Sequence, residues 1–321
     1  MHLVIGAGEF LGRHVSRAMA SEVPVIELNA DADDETLADA ITGVEVVVSC
    51  AQTVAPSHRI RYRKGPPPLL SRLVEAALRA RVGRLVHVST ADVYGSGHVA
   101  RVTEKSALKP THAYERTKLA EEQWLLENRG DLDVVILRPA RIFGEGEDWI
   151  LPRLMAAMVH GRVWLPGGGR ARQTFISAED VGRACLAASD RGRPGHRYLV
   201  GGFDSTWNDI LMSAARAVGY AAEIGSIPYD LAFLRALGVE TMAPEGAPVW
   251  PGIFAVDVIG RSRTYDDSYS RRELTWSPSV GSVEQEMPAM APWLARLPEV
   301  AEALAHDQSP SVGAATSPRG R

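Results

Sequence analysis

The chain has 321 residues, a formal net charge of −4, and 45% hydrophobic against 23% charged residues. That length suits one large domain, or a domain with a smaller appendage, and the balance is that of a folded globular protein rather than a disordered one. The mild acidity argues against a nucleic-acid partner, and no apolar run approaches the roughly 20 residues of a membrane span. Met1–Gly6 enters a strand at once, without the charged start and long apolar segment of a signal peptide, which predicts a cytoplasmic protein. Cys50 and Cys185 fit neither a disulfide framework nor a metal spacing. Both sit in apolar runs and are read as buried thiols, with no metal site expected.

Short apolar runs alternate with helical patterns through the first half. Leu3-Val4-Ile5 leads to a helix near Phe10–Ala20, and Val25-Ile26 to one near Asp34–Ile41. Val44 to Ser49 precedes a helix near Leu69–Arg81, and Arg84 to Ser89 precedes the helix that carries Tyr114. Val134 to Leu137 closes the series. Continuous Val/Ile/Leu runs suit strands covered on both faces, and alternation with helices implies a parallel sheet. The fold class expected is α/β, a Rossmann-type doubly wound parallel sheet with a smaller, irregular C-terminal substrate lobe.

After Arg138 the pattern changes: a helix near Leu151–His160, a tight loop at Leu165–Gly169, and another helix from Ala178. From about Ile224 to Trp276 the chain is rich in Pro, Gly and Trp and is expected to be irregular. Gly281–Leu297 reads as a final amphipathic helix. The division expected is a dinucleotide-type core at 1–145, mixed core and lobe at 146–297, and a disordered tail at 298–321, where small polar residues dominate from about His306.

Gly6-Ala7-Gly8-Glu9-Phe10-Leu11-Gly12 follows the first strand and opens the first helix. Glycines there let backbone approach a pyrophosphate, whose charge is favoured at a helix N-terminus. Arg and Lys are absent from Pro24 to Thr42, a stretch that carries Glu27, Asp31, Asp33, Asp34, Glu35 and Asp39. An acidic end to the second strand suits the free ribose of NAD and repels the extra phosphate of NADP. Glu27, Asn29 and Asp31 all compete for the ribose contact, and Arg13 or the basic stretch Arg59, Arg61, Arg63 and Lys64 counts the other way.

Tyr114 and Lys118 lie four residues apart, a spacing that stacks two side chains on one helix face. A cation beside a phenol favours its ionised form, so the pair is expected to lower the Tyr114 pKa. Ser89 and Thr90 end the preceding strand, with Asp92 and Tyr94 just beyond. The first of these hydroxyls is read as a buried strand-end group.

In order along the chain, the glycine loop, Ser89-Thr90-Ala91-Asp92-Val93-Tyr94-Gly95, Tyr114 with Lys118, Leu137-Arg138-Pro139 and Phe175–Val181 resemble the extended short-chain dehydrogenase/reductase family, also called the NAD-dependent epimerase/dehydratase family. Arg272–Pro278 adds a C-terminal match, and the resemblance spans about 1–297. It implies a catalytic set of Thr90, Tyr114 and Lys118, with Tyr114 as acid/base and Lys118 on the nicotinamide ribose. It implies cofactor contacts from Gly6, Gly8, Phe10, Leu11, Gly12, Ala51, Lys118 and Pro139, with NAD(H) favoured over NADP(H), and a homodimer.

Departures from the family pattern shape the rest. Glu9 stands where a glycine is usual and must point away from a pyrophosphate or bind something else. Ala91-Asp92 replaces the adjacent Asp-Glu of dehydratases, which argues against water elimination. Arg141 stands where nucleotide-sugar enzymes carry Asn, and either meets an anionic substrate group or pairs with a carboxylate. Arg170 or Arg172 can serve a diphosphate from the loop before Phe175. Among Trp149, Trp164, Trp207, Trp250 and Trp276, Trp250 is the foremost pocket candidate. The substrate set is therefore Asp92, Arg141, Arg172 and Trp250. The function expected is an NAD(P)-dependent oxidoreductase acting on a carbonyl or secondary alcohol of a small metabolite. A nucleotide-sugar epimerase is the alternative, and a non-catalytic cofactor sensor a third reading.

Overall fold

The computed structural model describes residues 1–52, 56, 58–59, 67–95, 97 and 99–307. Val/Ile-rich runs that have no polar face form the first sheet, because only a layer covered on both sides removes all their side chains from water. The chain begins β1 (His2–Ile5), α1 (Phe10–Ala20), β2 (Val25–Leu28), α2 (Asp34–Ile41), β3 (Val46–Ser49), α3 (Pro68–Arg79) and β4 (Arg84–Val88). It continues with β5 (Val99–Val102), α4 (Ala113–Asn128), β6 (Asp133–Pro139), β7 (Arg141–Phe143), α5 (Leu151–Val159) and β8 (Val163–Pro166). Then come β9 (Arg172–Ser177), α6 (Ala178–Arg191), β10 (Arg197–Val200), β11 (Phe203–Thr206), α7 (Trp207–Ala217) and β12 (Ile224–Ile227). The last elements are α8 (Tyr229–Met242), α9 (Ile253–Gly260), β13 (Arg263–Tyr265), α10 (Ser268–Leu274), α11 (Val283–Leu294) and α12 (Pro298–Asp307).

Six strands, all parallel, run in the order β10-β6-β4-β3-β1-β2. One face is covered by α1 and α6, whose Val15, Met19, Val181 and Cys185 share a core with Val4, Val48 and Val86. The other is covered by α2, α3 and α4 through Leu37, Leu73 and Leu125. The chain winds outward in both directions from β1, which pairs β2 on one side and β3 on the other. A crevice therefore opens beyond the carboxyl ends of β1 and β3, where doubly wound sheets bind ligands.

A further sheet, β11-β9-β13-β5 with β7 beside β9, is built mainly by later strands with β5 at its edge, and a separate apolar core includes Met155, Phe175, Ile210 and Met287. Here the expectation of an irregular lobe needs correcting. Residues 224–276 hold β12, α8, α9, β13 and α10, because apolar runs such as Ile253–Ile259 lie between the Pro and Gly positions. Arg59 closes the end of α8 by donating to the carbonyls of Thr241 and Ala243. Arg61, Arg63 and Lys64 lie outside the described residues.

The tail expected from 298 is also corrected. Pro298 opens α12, as proline does at a helix start, and Val300 is fully buried against the lobe core with Leu304 packed beside it. Residues 308–321 lie outside the described residues. Val300→Asp should therefore cost about 3 kcal/mol or more, from lost burial and a buried carboxylate. Urea unfolding checks this, and an unchanged midpoint would mean that α12 contributes nothing to the lobe.

Candidate active site

The crevice is a cleft of about 520 Å³. The loop after β1, the ends of β3, β4 and β6, the first turns of α4, and Trp149 and Trp207 from the second half enclose it. Of the residues predicted to hold a cofactor, Gly8, Phe10, Leu11, Ala51, Lys118 and Pro139 line it. Gly6 and Gly12 shape the loop instead: a Cβ on Gly12 would stand 1.9 Å from the Gly6 carbonyl oxygen. The loop can close only because that atom is missing. Of Glu27, Asn29 and Asp31, Asn29 stands against the glycine loop, its Oδ1 2.5 Å from where a Gly8 Cβ would be. Arg13 donates to the Gly8 carbonyl at 2.8 Å, and Glu9 Oε2 accepts from the Gln52 backbone N–H at 2.8 Å. A glycine-rich loop, a helix N-terminus and a cleft of this size fit a dinucleotide.

Thr90 starts a single turn over Ala91–Tyr94, and its hydroxyl caps the Asp92 N–H at 3.1 Å. Tyr114 sits in the first turn of α4, held by a capping arrangement in which Glu115 accepts from the N–H groups of Thr111 and His112. The Thr90 hydroxyl and the Tyr114 phenol both line the cleft, close enough for the hydroxyl to favour the ionised phenol. Phe254 flanks the phenol ring at 5.3 Å, and Trp149 stacks on Phe254. The three predicted catalytic side chains thus meet in one cleft.

One expectation at this point is corrected. The Tyr114 pKa is raised, not lowered: burial is the main cause and the Asp92 carboxylate adds to it, while Arg141 and the Thr90 hydrogen bond oppose. Lys118 is buried and its ammonium bonds Glu121 at 3.0 Å, so its charge is already matched within α4. The phenol is consequently held protonated.

Asp92 does not stand open to a ligand. Arg141 grips it at 2.9 and 3.2 Å and Arg263 at 3.2 Å, with the Thr90 hydroxyl donating at 3.0 Å. Burial works against the charge, yet Arg141 and Arg263 hold the carboxyl below its ordinary range. For Arg141 the carboxylate pairing is thus the one observed, with the guanidinium also over the Trp149 ring at 5.9 Å. Ser89 donates to Glu122, which forks onto Arg138, as suits a buried strand-end hydroxyl. Cys50 lines the cleft, and its thiol is raised by its hydrogen bond to Cys185 and then by burial.

Two substrate candidates fall away from the cleft. Arg172 is mostly exposed and reaches only toward Asp204 at 3.9 Å. Trp250 lies under the Arg153 guanidinium at 5.6 Å, and it is Trp149 and Trp207 that wall the cleft. Sequence reasoning missed Arg263, which a neighbouring-strand contact delivers from far along the chain and no local motif marks. It also missed Glu147, whose buried carboxylate caps α5 through the N–H groups of Trp149, Ile150 and Leu151 and so orients Trp149. An acid two to four residues before a helix start was the available signal.

A model of the NAD dependent epimerase/dehydratase family matches residues 2–201. The chain belongs to that family. It is accordingly an enzyme of the oxidoreductase, epimerase and dehydratase group that uses a nicotinamide cofactor, which removes the non-catalytic reading. Among its relatives is the 4-hydroxy-2-methyl-3-oxo-4-farnesyl-3,4-dihydroquinoline-1-oxide ketoreductase of Stigmatella aurantiaca, 30% identical over 77% of this chain and 76% of that one. Sterol demethylase protein B of Methylococcus capsulatus is 29% identical over 77% and 78%. The fold is shared with MoeE5 in complex with UDP-glucose and NAD, at a TM-score of 0.68 and 21% identity, over 92% of this chain and 98% of that one. No helix among the described residues is long and apolar enough to cross a membrane.

Beneath Lys118 this member of the family buries His87, with neither ring nitrogen hydrogen-bonded. Burial first, then Lys118, push its pKa down to about 4, against a smaller pull from Glu121. The unfolded chain takes up this proton near pH ~6.5, so stability is full above that value and falls as pH drops toward 4. The loss amounts to about 3 kcal/mol. His87→Leu should flatten the urea stability profile between pH 6.5 and 4.5; an unchanged slope would place the acid sensitivity elsewhere.

Proposed function

We propose that the protein is an NAD(P)-dependent oxidoreductase that interconverts a ketone and a secondary alcohol on a small, largely apolar metabolite. The observation that carries this reading is that Thr90, Lys118 and a Tyr114 phenol held protonated by burial line one cleft, walled by Trp149, Ile150 and Trp207. A bound nicotinamide supplies or accepts the hydride at the carbon that bears the oxygen. Thr90 and Tyr114 orient that oxygen. In the reducing direction the phenol donates its proton as the carbonyl oxygen gains charge, and in the oxidising direction the phenolate takes it back. The raised pKa suits an acid that must stay protonated until charge develops, and Lys118, in the cleft lining, is the residue we assign to the nicotinamide ribose.

Asp92 is fixed as an anion between two arginines, so it has no proton to give to a leaving hydroxyl, and water elimination is disfavoured. A ketoreductase and a sterol-modifying protein of similar length support an apolar carbonyl substrate. Nucleotide-sugar epimerisation is the second reading, within the same family. Arg141 lines the cleft, but its guanidinium is engaged by Asp92. We take NAD(H) over NADP(H), because Asn29 and the acidic stretch from Asp31 to Asp39 follow the second strand, and we take a cytoplasmic protein and, from the family resemblance, a homodimer.

Tyr114→Phe should lower kcat by roughly 100-fold or more while leaving cofactor affinity within about twofold. Steady-state kinetics and nucleotide titration check both halves, and retained turnover would remove Tyr114 from its role.

A further inference from the structure

Glu9 is the one loop position where this chain puts a carboxylate in place of the family's glycine, and the structure shows where that charge goes. β1 and β3 are neighbours, with Ile5 opposite Ser49. Glu9 follows β1, Gln52 follows β3, and the Glu9 carboxylate accepts the Gln52 backbone N–H at 2.8 Å. The bond bridges the mouth of the crevice at the point where the strand order reverses, and both residues line the cleft. Among the described residues Glu9 has no salt-bridge partner. Arg13, one turn along α1, is tied to the Gly8 carbonyl instead.

The backbone N–H groups at the start of α1 are what a pyrophosphate needs. A side-chain anion beside them, spanning to Gln52, competes with that pyrophosphate for space and opposes its charge in a partly screened crevice. We propose that Glu9 is an affinity-setting residue of the dinucleotide site: a built-in anion that keeps the nicotinamide cofactor exchangeable instead of resident. An enzyme that oxidises or reduces its substrate must release spent cofactor at every turnover, whereas an epimerase regains its cofactor in place. The inference deepens the oxidoreductase reading, but its test involves no turnover, so either can fail without the other.

The experiment compares wild type, Glu9→Gln and Glu9→Gly for binding of NADH and NADPH by calorimetry, with dissociation rates by stopped-flow fluorescence. Glu9→Gln keeps the side-chain length and an oxygen acceptor and removes the charge, and Glu9→Gly removes the bridge. Thermal melts establish that each variant is folded. Both variants should bind about tenfold more tightly, chiefly through slower dissociation. The gap between wild type and Glu9→Gln should narrow as salt rises. Equal or weaker binding by Glu9→Gln overturns the proposal, because the bridge would then be preorganising the loops for the cofactor. No binding by any of the three chains also overturns it, by removing the dinucleotide from this cleft.

Discussion

The active site depends on how α4 is docked. The face this helix turns inward is not an apolar stripe: Glu115, Lys118, Glu121 and Glu122 are all buried, with Leu125 beside them. Charges can be taken from water only when fixed partners match them. Glu115 accepts the N–H groups that open the helix, Lys118 meets Glu121, and Glu122 forks onto Arg138 while taking the Ser89 hydroxyl. Each contact has one geometry, so together they set the rotation and depth of α4 against β4 and β6. That is what brings the Tyr114 phenol into the cleft that Thr90 also lines.

The same logic governs the substrate side. Asp92 between Arg141 and Arg263 joins the turn after β4 to β7 and β13, tying the sheet of the first half to that of the second. Arg141 also lies over Trp149, whose position the buried Glu147 sets through the start of α5. Polar groups therefore hold the aromatic wall in place while presenting few free charges of their own. On its substrate side, such a cleft is consistent with the uncharged carbonyl substrate we propose.

Much of this was legible in the residues. Runs such as Val46–Ser49 and Val134–Leu137 have no polar alternation, which marks strands covered on both faces, and the glycine loop and Tyr114–Lys118 spacing picked out residues that the fold brings to one cleft. What stayed hidden arises between distant segments. Arg263 reaches Asp92 only because β13 inserts beside β9, and no local pattern states that pairing. Trp250 and Trp149 look alike in sequence, and only packing decides that the second faces the cleft. The direction of the Tyr114 shift was misjudged because proximity to Lys118 was weighed without the burial that outweighs it or the Glu121 that occupies the ammonium. Helices α8 and α12 were missed where nearby Pro and Gly outweighed apolar positions such as Val300.

The account stands or falls on net hydride transfer by this cleft. The most direct measurement is mass spectrometry of alcohols formed from a panel of aryl and alicyclic ketones, using NADH or NADPH carrying deuterium at the transferable C4 position. The prediction is one deuterium on the carbinol carbon for each cofactor oxidised. Conversion of a nucleotide sugar with no net cofactor use, and no label in any alcohol, would contradict it.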